Sequence, residues 1–343
     1  MTLSEFDYQL PDELIAQEPL EDRRASRMMT VDRSAAEIRD QMFAEFPDLL
    51  TDRDVLILNN TRVFPARLFG RSETGAQIEV FLIREIDRHT WEALTRPARR
   101  LRPGKRIVFS GELDAEVVER LDDGKAIVRF EVADRFEDVL DRIGRTPLPP
   151  YIKRDGDDLG FDRERYQTVY AKQRGSIAAP TAGLHFTDGI IEKIRQRGVE
   201  IIEITLHVGY GTFEPVRVEE ISEHRVSPEV YEISENGAER LNRAMADRRR
   251  LVAVGTTTTR ALESCFTING KFVDGRAMAD LTITPGYKFK AVNALLTNFH
   301  LPRSSLLILV STFAGRELIM RAYEHAVSER YRFYSYGDCM FIT

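Results

Sequence analysis

Cysteine is scarce in this chain. Only Cys265 and Cys339 occur among 343 residues, with no CxxC pair and no Cys/His spacing of the zinc-binding kind, so neither a disulfide framework nor a zinc site is supported and two plain reduced thiols are expected. Long apolar runs are missing too. The longest, residues 306–310, falls far short of the roughly 20 residues that span a bilayer, and the acidic N-terminus has no basic n-region or apolar signal core. A cytoplasmic protein without membrane contact is the expectation. Basic excess is also lacking: 49 Lys plus Arg against 55 Asp plus Glu give a net charge of −6, which argues against bulk affinity for nucleic acid. A local patch can override that total, because counterion release counts the contacts made. The chain has one, formed by Arg96, Arg99, Arg100, Arg102, Lys105 and Arg106 around a Pro103-Gly104 turn, with no acid among them. On charge alone it reads as a solvated hairpin.

What is present is an ordinary globular composition, 43% hydrophobic and 30% charged, in a chain long enough for two domains. Residues 11–16 read as a short helix begun by proline and residues 54–59 as a buried strand. From about residue 65 the texture changes. Residues 77–84, 90–96, 113–121 and 126–132 are short alternating or β-branched runs separated by glycine-containing turns, the pattern of a small antiparallel barrel or sandwich. An amphipathic stretch at 136–143 and the proline-rich segment 146–150 follow. Beyond Tyr151, strand-like runs at 199–208, 251–254 and 295–298 alternate with helical ones at 188–197, 238–248, 304–314 and 317–328, which implies α/β architecture. The expected organisation is therefore a discontinuous α/β main domain, residues 1–64 and 147–343, interrupted by an inserted antiparallel β-barrel domain, residues 65–146.

Four segments place chemically capable side chains just past an apolar strand. In residues 178–187, Thr187 is the predicted N-cap of the following helix and His185 sits just ahead of it, where positive backbone potential favours a neutral imidazole and so a proton acceptor; a satisfied structural histidine fits the same residues equally well. Residues 205–216 carry His207, Tyr210, Thr212 and Glu214 on a glycine turn, the kind of strand end at which α/β enzymes hold ligands, but GxG alone is no dinucleotide fingerprint. Residues 254–260 run from strand through four threonines to Arg260, with Glu263 following. The threonines suit helix caps or an anion and Arg260 a carboxylate, and a surface arginine fits as well. Residues 296–305 bring Asn298 and His300 to another strand end, with donors and acceptors suited to a base or ribose edge. Core packing accounts for most of the rings in residues 331–338. Together the four loops predict one composite polar pocket without metal. They do not name a reaction.

Longer motifs go further. Phe6-Asp-Tyr-Gln-Leu-Pro11, Asn59-Asn-Thr-Arg-Val63, Pro147-Leu-Pro-Pro-Tyr-Ile152, Ala179-Pro-Thr-Ala-Gly-Leu-His-Phe186 and Tyr331-Arg-Phe-Tyr-Ser-Tyr-Gly-Asp338 closely resemble, in order and over nearly the whole chain, the S-adenosylmethionine:tRNA ribosyltransferase-isomerases of queuosine biosynthesis. The resemblance implies an α/β barrel-like main domain with an inserted β-barrel. It implies transfer and isomerisation of the ribosyl part of S-adenosylmethionine onto 7-aminomethyl-7-deazaguanine at the wobble position of tRNA, with epoxyqueuosine formed and adenine and methionine released. S-adenosylmethionine is then a co-substrate and no separate cofactor is expected; the tRNA anticodon loop is the partner, and the chain is expected to act as a monomer. On that reading His185 or His207 serves as base at the ribose and Glu214 or Glu229 accepts from the amine. Asn298 and His300 hold adenine or the modified base, Arg260 takes the methionine carboxylate, and Thr181, Tyr210 and Thr212 complete the substrate contacts. Arg96, Arg99, Arg100 and Arg102 become phosphate contacts. The competing readings are a non-catalytic tRNA-binding module and a sugar hydrolase with Glu214 and Glu229 flanking the bond.

Overall fold

The structure, a computed structural model, describes residues 1–98, 101–154 and 159–343. Ten strands precede the first helix: β1 Arg27–Asp32, β2 Glu37–Met42, β3 Asp54–Asn59, β4 Thr61–Val63, β5 Arg67–Ser72, β6 Gln77–Asp87, β7 Thr90–Arg96, β8 Arg106–Ser110, β9 Leu113–Arg120 and β10 Lys125–Val132. Helices α1 Phe136–Ile143 and α2 Leu159–Arg165 lead to β11 Gln173–Ser176. Strand and helix then alternate: α3 Asp188–Gln196, β12 Glu200–Leu206, β13 Glu229–Ile233, α4 Glu235–Ala246, β14 Arg250–Val254, α5 Thr256–Asn269, β15 Gly275–Ala279, β16 Ala294–Asn298, α6 Ser305–Ala314, α7 Arg316–Ser328 and β17 Cys339–Ile342.

The main sheet has nine strands in the order β15-β13-β12-β3-β14-β16-β17-β1-β2. Strand β3 is buried at all six positions and pairs in parallel with both β12 and β14, as a near-continuous apolar run covered on both faces should. One apolar cluster covers one side of this sheet, containing Ile57, Ile204 and the helix residues Leu307–Val310; a second, containing Leu56, Leu58, Ile190 and Ile194, covers the other. The sheet ends in β2 and β15, which do not pair with each other. The barrel-like main domain implied by the resemblance is thus an extended mixed sheet here.

Between β3 and α3 the chain makes the second body. Strands β10-β7-β6-β5-β8-β9 close into a six-stranded antiparallel barrel. Its strands alternate, with Leu68, Val80, Leu82, Ile107, Val117 and Val128 filling the interior, and α1 seals it through Phe136, Val139 and Leu140. Gly70 is needed where β5 approaches β8, since a Cβ there would stand 2.7 Å from the Val108 carbonyl oxygen. The α/β class and the inserted barrel agree with the sequence reading. The short helix expected at 11–16 is only a single 3-10 turn, Asp12–Leu14. Among the described residues no helix is long and apolar enough to cross a membrane, and Cys265 and Cys339 are both free and buried.

Candidate active site

The four loops do not meet in one pocket. They divide between two adjoining hollows and the wall that separates them. The first is a cavity partly open to solvent, about 600 Å³ counting that open space, at the ends of β14 and β16. Thr181, Thr212, Thr256, Thr257, Asn298 and His300 line it. The second is a groove of about 1880 Å³ between the barrel and the main sheet, lined by His207, Tyr210, Glu214 and Glu229 on one side and by Trp91, Glu92 and Lys125 of the barrel on the other. Val208 borders both.

The shared wall is the turn after β12. Its glycines allow a 3-10 turn, Tyr210–Phe213, and one buried carboxylate organises it. Glu229, the first residue of β13, accepts from the Gly209 amide (3.0 Å) and from Thr212 Oγ1 (3.1 Å), and its other oxygen meets Arg260 Nη1 at 2.6 Å. Burial pushes this carboxyl above the usual carboxylate range, while Arg260 pulls the other way. Glu214 accepts from Ser227 Oγ at 3.3 Å and lines the groove beside it.

Arg260 must be reassigned. It is buried, lines neither hollow, and spends its guanidinium on Glu229 and on the carbonyls of Leu281, Ser227 and Ala279. With these bonds made it is not open to a substrate carboxylate. The threonines beside it are not side-chain caps either. Gly255 is the N-cap of α5, and Thr258 and Thr259 bond back to the carbonyls of Val254 and Gly255. Thr187, by contrast, caps α3 as predicted, accepting from the Ile190 amide at 3.3 Å.

The two candidate bases differ. His185 is buried behind the cavity, bonded through Nδ1 to Ser26 (2.8 Å) and through Nε2 to the Asn298 amide (3.3 Å). Burial, helped by Arg23 and Arg332, lowers its pKa to about 3. Both ring nitrogens are engaged within the protein, and His185 lines neither the cavity nor the groove. His207 lines the groove, with Nδ1 2.8 Å from Thr61 Oγ1. Partial burial and Arg276 lower its pKa, which keeps the ring neutral near pH 7. Thr61 Oγ1 can donate to the Gln173 carbonyl (3.4 Å), in which case Nδ1 carries the proton and Nε2 is an acceptor. The ring lies against Gly175, where a Cβ would come within 2.7 Å of it.

His300 lines the cavity and is neutral, its pKa lowered to about 3 by burial, with Nε2 2.9 Å from Thr297 Oγ1. Tyr210 lines the groove and packs edge-on to Phe81 of the barrel. Sequence reasoning missed Tyr151, Tyr166, Tyr334 and Ser335 in the cavity wall. Tyr151, Tyr334 and Ser335 stand in the resemblance motifs, where the rings of residues 331–338 read as core; Tyr166 stands in none of them. Tyr334 adopts φ 75°, uncommon for a non-glycine residue, and so presents its carbonyl to Asn298 at 3.1 Å.

The basic patch lies at the far end of β7 from the groove. Lys105 pairs with Glu73, and Arg106 pairs with Asp114 and Glu131. Arg96 and Arg102 are exposed; Arg99 and Arg100 lie outside the described residues. No group of three His, Cys, Asp or Glu side chains able to hold a metal ion occurs among the described residues.

A family model described as queuosine biosynthesis protein matches residues 3–342. The chain belongs to this family. Among its curated relatives, the S-adenosylmethionine:tRNA ribosyltransferase-isomerases of Desulfitobacterium hafniense and Geotalea uraniireducens are each 50% identical, with all of both chains covered. A solved structure, the S-adenosylmethionine tRNA ribosyltransferase of Thermotoga maritima, is 38% identical, aligns with 99% of this chain and 100% of its own, and has a TM-score of 0.55. Queuosine biosynthesis proteins of this kind are enzymes, so the two hollows of this family member are to be read as a site of chemistry.

Proposed function

We propose that the protein transfers and isomerises the ribosyl part of S-adenosylmethionine onto 7-aminomethyl-7-deazaguanine at the wobble position of tRNA, giving epoxyqueuosine in the tRNA together with adenine and methionine. The observation that carries this is the shared wall: a smaller hollow and a larger groove adjoin at Val208 and at the Gly209, Thr212 and Glu229 cluster. Two substrates that exchange a ribosyl group need such a common boundary. A single-stranded anticodon base is splayed out at modest cost and enters from the groove, while S-adenosylmethionine occupies the cavity.

The chemistry makes three demands. The sulfonium acidifies the ribose C5′ protons, and a neutral base must take one; His207, groove-facing and with its pKa lowered, suits that task. The attacking aminomethyl group, an amine with pKa near 10 in water, must be neutral when it reacts. The Glu214 and Glu229 carboxylates border the groove where it arrives. Departing adenine needs a proton donor, worth about 10²–10⁴-fold, and neutral His300 carries one ring N–H. Arg96, Arg99, Arg100 and Arg102 are proposed to meet phosphates farther along the tRNA.

Purified protein is to be incubated with ribose-labelled S-adenosylmethionine and tRNA carrying the aminomethyl base, and the tRNA nucleosides analysed. Label in epoxyqueuosine, with adenine and methionine released only when that tRNA is present, supports the transferase. Adenine release without tRNA would make it a hydrolase, and bound tRNA without label a binding module.

A further inference from the structure

Asn298 closes β16, is buried, and lines the cavity. Its amide nitrogen meets three acceptors: the Tyr334 carbonyl at 3.1 Å, the Asp338 carbonyl at 3.4 Å and His185 Nε2 at 3.3 Å. Its Oδ1 is buried with no partner. Carbonyl oxygens only accept, so the amide must turn its NH2 toward them; the reverse orientation would press Oδ1 against two oxygens.

His185 enforces the same orientation from the other side. Ser26 Oγ donates its one proton to the Arg23 carbonyl at 3.0 Å. Its 2.8 Å contact with His185 Nδ1 therefore requires the ring proton to sit on Nδ1, and Nε2 becomes an acceptor for Asn298. The imidazole is buried against Phe43, with ring centroids 5.2 Å apart. The charged groups facing it, Arg23 and Arg332, oppose a second proton that would turn Nε2 into a donor. What remains is one buried acceptor without a partner, on a residue that lines the cavity.

We infer that the Ser26, His185 and Asn298 chain locks the Asn298 amide so that the cavity accepts a purine with a 6-amino group and rejects one with a 6-oxo group. This rests on the proposed use of the cavity for the adenine of S-adenosylmethionine. An amino group only donates and satisfies Oδ1. A 6-oxo group only accepts, so it would set two oxygens face to face in a desolvated site, the situation that makes hydrogen-bonding sites discriminate strongly. Ala178, Ala179, Pro180 and Phe299 around it give a flat ring apolar walls. His185 is on this account a positioning residue.

The test uses the whole protein, S-adenosylmethionine and its 6-oxo counterpart, S-inosylmethionine, in direct binding and in steady-state transfer to tRNA. The 6-oxo compound is expected to bind at least about 100-fold more weakly to the wild type, and Asn298→Ala should bring the two ligands within about threefold of each other. His185→Ala should raise KM for S-adenosylmethionine about tenfold and narrow the preference while kcat changes little. His185→Gln, whose amide offers both an acceptor and a donor, should recover the preference. Equal binding of both ligands by the wild type overturns the lock and leaves the functional reading standing. Folded His185→Ala that loses kcat 100-fold or more at unchanged KM overturns the positioning role. If neither ligand binds, the functional reading fails and the lock with it.

Discussion

The cavity and the groove share a wall yet hold their polar groups in opposite ways. Asn298 and His300 in the cavity, and His185 behind it, are buried, neutral and fixed by bonds to backbone and hydroxyls. In the groove, His207 and Glu214 are only partly buried, and charged side chains of both signs, Lys125, Arg276 and Glu92 among them, stand around them. On the proposed function, a small rigid ligand would be selected by groups that cannot turn, and a large charged one received by groups that water still reaches. Only the wall combines the two regimes, a buried carboxylate ion-paired to a buried guanidinium and in hydrogen-bond contact with both hollows.

Substitutions at that wall should have the largest effect. Glu229→Ala strands Arg260 without its counter-ion, a change that costs about 3–5 kcal/mol in buried pairs, and single-turnover transfer should fall by more than about 1000-fold. Glu229→Gln should retain more stability, as read by Tm, and still lose most of the rate. Normal transfer by Glu229→Gln would sever the wall from the chemistry. Next comes Gly175→Ala, which drives a methyl into the His207 ring. Transfer should drop about 100-fold while binding of S-adenosylmethionine in the cavity stays unchanged; equal loss of both would erase the distinction between the hollows.

Acid should separate the two regions by stability. His185 and His300 have folded pKa values of about 3 against 6.5 for the free side chain. Their neutral burial stabilises fully above pH 6.5, and that stability is lost as pH falls from there toward 3, because the unfolded chain takes up protons the folded rings refuse. Each ring should steepen the loss by about 1.4 kcal/mol per pH unit. Denaturant titrations of His300→Gln between pH 7 and 4 should show a shallower fall than the wild type, and an identical slope would contradict it. The smallest effect belongs to the partly neutralised basic patch. Arg96→Ala with Arg102→Ala should weaken tRNA binding about threefold and lower the salt slope by less than two. An unchanged slope would return these residues to a solvated hairpin.

Much of the fold could be read from periodicity. The buried run of β3, the cap of α3 and four of the six barrel strands were legible because local pattern determined them. Strands β5 and β8 were not: Arg67-Leu-Phe-Gly-Arg-Ser72 and Arg106-Ile-Val-Phe-Ser110 look like charge and turn, and only closure of the barrel makes them strands. The site was harder still. The choice of His185 or His207 as base, and of base or structural histidine for His185, stayed open because Ser26, 159 residues away, and Asn298, 113 away, are invisible partners in one dimension. Arg260, on α5, read as open to a substrate because its carboxylate partner, Glu229, lies on β13, 31 residues away. Thr61 went unremarked as the residue that holds His207, although its motif follows directly on β3.

Strand β17 lies between β16 and β1, parallel to the latter and antiparallel to the former. Among the described residues the hairpin β1-β2 therefore joins the rest of the sheet through residues 339–342, which are made long after it during synthesis. On the ribosome the barrel, whose contacts span fewer than 70 residues from β5 to β10, can fold while the hairpin waits with one edge unpaired. The loop carrying Tyr334 and Ser335 sits immediately before β17, so the wall of the cavity and the last rung of the sheet are set in one late step. A chain interrupted short of residue 339 should then yield a folded barrel on an open sheet, exposed to chaperones and proteases, with no cavity in which to hold a nucleoside.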